Sequence, residues 1–133
     1  MDNKSSNVDI KTLRIGSHIL VNGKRERVRG LDEDNGLIVR FPAEYVLASE
    51  VEPIAITPEL LKELGFKFRK STGGSWCISD KKGGYFYATV CSDSTCIVTH
   101  YPDFGFQSRV VCTYLHEFEA FAYLISQTEL IPD

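Results

Sequence analysis

Val110–Leu130 reads VVCTYLHEFEAFAYLISQTEL, and the period of its apolar residues decides what the rest of the chain must build. Leu115, Phe118, Phe121 or Ala122, and Ile125 recur at steps of three and four. That spacing lines one side of a helix, so the stretch is expected to form the main helix, with an apolar stripe that needs a cover. Ahead of it, from Phe66 to Val111, short β-rich runs alternate with Gly, Asp and Ser. A sheet packed on the helix is the simplest cover. Thr113 is placed to cap the helix, with Glu117 and Glu119 in its early turns, where negative charge is best tolerated.

Working back toward the N-terminus, Thr57-Pro58-Glu59-Leu60-Leu61-Lys62-Glu63-Leu64-Gly65 carries every signal of a short helix. Thr57 offers a capping hydroxyl, Pro58 suits the first helical position, Glu59 faces the positive end of the dipole, and Gly65 supplies a left-handed stop. After it, strands are expected at Phe66–Arg69, Ser75–Ser79, Tyr85–Val90, Thr95–His100 and Ser108–Cys112, joined by short turns and therefore antiparallel. Before it, Leu13–Val21 runs into Asn22-Gly23, the dipeptide best suited to a type I′ hairpin turn. Lys24–Leu31 is the return strand. An acidic turn with a second Asn-Gly follows at 32–36, then short runs at 37–41, 46–48 and 51–56. Such short strands with tight turns predict a small SH3-like barrel or a strongly bent sheet.

The expected fold class is thus α+β: an N-terminal SH3-like small β-barrel, a short linking helix, and an antiparallel β-meander packed on one long C-terminal helix. The corresponding division is a mobile lead-in over 1–11, an SH3-like β unit over 12–56, and the sheet plus C-terminal helix over 57–133.

Composition bounds the function classes. The 133 residues are 43% apolar and 25% charged, ordinary for a globular protein, and the net charge of −3 gives no global attraction for polyanions. No run reaches the roughly 18 apolar residues that a membrane span needs, and the polar start lacks the order of a secretory signal. The cytoplasm is the expected location, with no membrane contact. There the four cysteines, Cys77, Cys91, Cys96 and Cys112, are expected to be reduced and mostly buried.

Three landmarks carry a family likeness. Leu13-Arg14-Ile15-Gly16, the run from Pro53 to Phe66 (PIAITPELLKELGF), and His116-Glu117-Phe118 through Glu129-Leu130 match, in order and placement, a pattern of LRIGN, PIPLTEEWLLKFGF and HxLQNLYFALTGEEL. The chain thereby resembles a group of uncharacterised small proteins found on phages and mobile elements of Bacteroidetes, over almost its whole length. Ser17 stands where Asn is usual, Pro58 replaces an acid, Glu119-Ala120 replaces Gln-Asn, and Gln127 replaces Gly. Any polar site built on that Gln-Asn pair is missing here. The resemblance implies a shared fold and a mobile-element origin, and it brings no activity with it.

Four local patterns bear on function. Arg25, Arg27 and Arg29, beside Lys24, alternate along a strand and so share a face at about 7 Å steps, close to the spacing of phosphates along a nucleic-acid strand. A solvated strand face would alternate in the same way. Cys91-x4-Cys96-x3-His100, with Cys77 upstream, provides soft ligands, but on a strand Cys96 and His100 stand some 13 Å apart, too far for a shared ion. His116 and Glu117 point about 100° apart on a helix and form no dyad, so a histidine hydrogen-bonded within the fold is the simpler expectation, with Glu119 a candidate partner. Tyr85 and Tyr87 share a strand face opposite Phe86, and Phe104 sits on the Tyr101–Gln107 loop, so these rings are the candidates for protein contact. No phosphate loop, nucleophile elbow or HExxH motif appears.

The sequence therefore predicts a non-enzymatic protein-interaction or accessory module without a cofactor or metal. Tyr85, Tyr87 and Phe104 meet its partner. The alternative is a nucleic-acid-binding module that uses Arg25, Arg27 and Arg29.

Overall fold

A computed structural model describes residues 12–32, 37–40, 44–47, 50–70 and 74–131. Among these residues, two five-stranded antiparallel sheets and two helices make up a mixed α+β fold. The chain divides into two compact units, one comprising residues 1–54 and 114–120 and the other residues 55–113 and 121–133.

In the first unit β1 (His18–Val21) turns at Asn22-Gly23 into β2 (Lys24–Asp32). Both turn residues have positive φ, 52° and 79°, and Val21 faces Lys24 across the turn, the two-residue hairpin that Asn-Gly favours. β3 (Leu37–Arg40), β4 (Glu44–Leu47) and β5 (Val51–Glu52) follow, and the sheet order is β4-β3-β2-β1-β5. Ile19, Val21 and Val28 bury one face together with Leu13 and Val51. The first strand is shorter than the expected Leu13–Val21. Leu13–Ser17 forms a turn instead, in which the Ser17 amide donates to the Arg14 carbonyl and the Arg14 amide to the Ser17 hydroxyl. The expected lead-in at 1–11 and the second Asn-Gly turn at 35–36 lie outside the described residues.

The second unit begins with the short helix α1 (Pro58–Glu63). The Leu60 amide donates to Thr57 Oγ1 at 3.1 Å, as the cap requires. At the other end the Phe66 amide reaches the Leu61 carbonyl and the Gly65 amide the Lys62 carbonyl, with Gly65 at φ +98°. This is a Schellman stop, and the hydrophobic pair that accompanies it is Leu61 and Phe66, both buried.

From there β6 (Lys67–Arg69), β7 (Ser75–Ser79), β8 (Tyr85–Val90), β9 (Cys96–Tyr101) and β10 (Ser108–Cys112) form a meander in sheet order β10-β9-β8-β7-β6. Register pairs Trp76 with Ala88, Ile78 with Phe86, and Phe86 with His100. On that face Phe86, Ala88, Cys96, Val98 and Cys112 are all buried, and Phe121 meets Phe86 edge-on with ring centroids 6.2 Å apart.

The closing helix α2 spans Leu115–Ser126, 12 residues. It is shorter than the quoted stretch, because Val110–Cys112 belongs to β10. Thr113 is not its cap. Glu117 Oε1 accepts from the Tyr114 amide at 3.0 Å, so an acid in the first turn reaches back to satisfy the backbone just ahead of the helix. The expected stripe is there: Leu115, Phe118 and Ala122 are fully buried, with Phe121 and Ile125 half-buried. The helix stops at Gln127, whose φ of +57° is left-handed. No helix among the described residues is long and apolar enough to cross a membrane.

Candidate ligand-binding face

The face of the β6–β10 sheet opposite Phe86 carries the residues that alternate with the core. The register sets Cys77 beside Tyr87, Ser79 beside Tyr85, Tyr85 beside Tyr101, and Tyr87 beside Thr99. Ser75, Tyr85, Tyr87, Thr89, Thr99 and Tyr101 line a pocket of about 500 Å³. Ser75 and Thr99 are buried at its floor, whereas Tyr85 and Tyr101 remain 46% and 40% exposed. The Tyr87 and Tyr101 rings stand nearly perpendicular, 88°, with centroids 5.2 Å apart, the edge-to-face arrangement that aromatic quadrupoles prefer. Burial, then the adjacent Cys77, hold the Tyr87 phenol above its ordinary 10.0, with the Arg69 cation pulling the other way. The pocket is lined by phenols and hydroxyls, which supply donors, acceptors and ring faces.

At one end of the same unit the turn between β7 and β8 is held by Asp80. Its Oδ1 accepts from the Lys82 and Gly84 amides, both at 2.7 Å, and its Oδ2 from His100 Nε2 at 2.6 Å. The two side chains are 1% and 4% exposed. Burial raises the Asp80 carboxyl, but the bond from His100 and the two amide bonds outweigh it and leave it below the ordinary 3.8. An ionised carboxylate only accepts, so the His100 Nε2 carries the proton. Phe104 lines a separate cavity of about 280 Å³ beside Asp80, His100 and Ser126. Phe104 and Phe106, flanking Gly105, are 90% and 95% exposed.

In the first unit the carboxylate of Glu119 accepts from the His18 amide at 2.8 Å and from His18 Nδ1 at 2.6 Å. Both side chains are buried. Glu119 therefore partners His18 rather than His116. His116 is buried too, with its Nε2 2.8 Å from Thr12 Oγ1 and its ring stacked on Tyr114. No sequence signal joined residues 101 positions apart; only the burial of Glu119 one turn on from His116 hints that it needs a donor.

The predicted residues fall into separate places. Tyr85 and Tyr87 share a face, as alternation requires, and Tyr101 joins them through β9; the sequence treated Tyr101 only as part of a loop. Phe104 stands apart from that pocket. Arg25 and Arg27 share a face of β2 beside Leu20 and His18, but the register slips by one between Val28 and Gly30, and Arg29 is the extra residue of that bulge. The three arginines therefore do not form a regular row with even steps. The Arg14 and Arg27 guanidiniums both lie over Gly16, where a side chain would meet Arg14 at 2.9 Å. All four cysteines are free thiols. Cys77 lies on the tyrosine face, opposite to Cys96 and His100, and among the described residues no group of three or more His, Cys, Asp or Glu side chains is placed to hold a metal ion. Compared with known proteins, the chain matches no family model, no curated protein and no solved structure.

Proposed function

We propose that the protein is a non-enzymatic binding module that takes its partner on the tyrosine-lined face of the β6–β10 sheet. The observation that carries this is the open pocket of about 500 Å³ walled by Tyr85, Tyr87 and Tyr101 over buried hydroxyls. Exposed rings with a polar tip are the side chains that give contact area at low entropic cost, and they are common at recognition surfaces. The first unit is a small SH3-like β unit; its strand order, a β1–β4 meander to which β5 returns beside β1, supports this assignment. The three sequence landmarks support a mobile-element origin.

The test is amide NMR mapping with adenosine, tyrosinamide and a short oligoglutamate as probes. At least one probe is expected to shift the amides of Ser75, Tyr85–Thr89 and Thr99–Tyr101, and Tyr85→Ala/Tyr101→Ala to abolish the shifts. If none of the three perturbs this face at millimolar concentration, or the double variant responds as the native protein does, the proposal fails.

A further inference from the structure

The charge on this face is unlike the charge of the chain. The five strands β6–β10 contain three lysines or arginines, Lys67, Arg69 and Arg109, and among their residues no Asp or Glu. Register places all three cations on the tyrosine face: Lys67 pairs with Cys77, Arg69 with Ser75, and Arg109 with Thr99. All three are exposed. All the lysines and arginines in the strands of this sheet thus lie on the face that carries Tyr85, Tyr87 and Tyr101, in a chain of net charge −3.

Their placement is as informative as their sign. β6 and β10 are the two edges of the sheet, four strand spacings or about 19 Å apart, and Tyr85, Tyr87 and Tyr101 sit on β8 and β9 between them. A ligand crossing the strands meets cations, then rings, then a cation. We propose that this ligand is single-stranded nucleic acid, its bases stacked on Tyr85 and Tyr101 and its phosphates held by Lys67, Arg69 and Arg109. This rests on the tyrosine face being the binding surface.

Two features favour nucleic acid over an acidic peptide, which the cations alone would equally attract. Bases present planar π-faces to rings that are already open to solvent, whereas carboxylate side chains gain nothing from them. The Ser75, Thr89 and Thr99 hydroxyls around the pocket can donate or accept toward base edges without carrying charge. A duplex would be a poorer ligand, since its bases are stacked on each other and unavailable to the tyrosines.

The experiment is fluorescence anisotropy of labelled oligothymidylate and oligouridylate with the full chain, repeated across salt concentrations, with amide NMR mapping of the complex. Three phosphate contacts to a single strand predict a log–log salt slope of about −2, so binding weakens about 20-fold between 50 and 200 mM salt. Lys67→Ala/Arg69→Ala lowers that slope to about −0.7. Tyr101→Ala weakens binding roughly tenfold, while Tyr101→Phe, which keeps the ring and the packing, binds like the native protein. Circular dichroism confirms that each variant is folded.

If neither oligonucleotide binds but adenosine or oligoglutamate still shifts the face, the nucleic-acid assignment is overturned and the binding face stands. If no probe shifts it, both fall. Oligonucleotide binding that survives Lys67→Ala/Arg69→Ala and maps to Arg25 and Arg27 overturns the assignment to this sheet.

Discussion

Truncating Glu119 tests the least expected contact in the first unit. Its carboxylate accepts from both the amide and the Nδ1 of His18, at 2.8 and 2.6 Å, and the two side chains are 3% and 7% exposed. Glu119→Ala leaves two buried donors without their acceptor, each costing about 1–3 kcal/mol, and breaking a buried pair by removing one member typically costs about 3–5 kcal/mol. The expected loss is therefore about 3–5 kcal/mol, a large part of the roughly 5–15 kcal/mol that holds a domain of this size. Glu119→Gln keeps an oxygen for the His18 amide and should lose only about 1–2 kcal/mol. Because the two groups act on each other, His18→Ala/Glu119→Ala is expected to cost clearly less than the sum of the single changes. Urea unfolding followed by far-UV circular dichroism gives the free energies, and amide exchange at His18 and Ile19 gives the local effect. A solvated pair contributes only about 0–1 kcal/mol. A Glu119→Ala variant within about 0.5 kcal/mol of the native protein, or strictly additive single and double variants, would refute the buried pair.

Acid should unlock the β7–β8 turn. The Asp80 carboxyl is depressed below 3.8 in the folded chain, so its contribution is fully present above the unfolded value and is lost as pH falls through the folded one. Unfolding midpoints should therefore drop steeply below pH 3.8, and Asp80→Asn should flatten that limb while lowering stability at pH 7; an unchanged acid limb counts against the turn. Thiol titration of the native protein at pH 8 should find one fast group, Cys91, which is half-buried, and four thiols in denaturant. Cys96 should stay silent, since burial, and to a lesser degree Cys91, push its thiol to about 11; fast labelling that survives Cys91→Ser contradicts this. Gln127→Gly should raise stability by about 0.5–1 kcal/mol, because φ +57° strains a residue with a Cβ. A lowered melting temperature would show that the Gln127 side chain contributes more than the backbone loses.

What could be read in the sequence was decided over short range. Thr57-Pro58 and Gly65 specify both ends of α1 because the cap and stop are bonds between residues three to five apart. Asn22-Gly23 fixes the first hairpin for the same reason. The five strands of the second sheet lie within a residue or so of their expected places, since turns rich in Asp, Gly and Ser leave the strands few alternatives. Errors arose where two local signals competed. Leu13–Gly16 alternates like a strand, yet the bonds between Arg14 and Ser17 bend it into a turn. Thr113 has the chemistry of a cap, but Glu117 reaches the Tyr114 amide and starts the helix later.

The candidate site was legible in part, and the missing part has one cause. Alternation along β8 alone puts Tyr85 and Tyr87 on one side, so that much needs only a period of two. Tyr101, Ser75 and Thr99 join them only through register, which depends on turn geometry and cannot be counted from within one strand. The same register gathers Lys67, Arg69 and Arg109, separated by up to 42 positions, onto the tyrosine face. The arginines of β2 were conspicuous because they alternate along one short run, and a single bulge at Arg29 was enough to break their row. Residues that a sheet assembles from several strands need no sequence proximity. A charge pattern on a β surface therefore means more when it survives register across strands than when it is spelled along one.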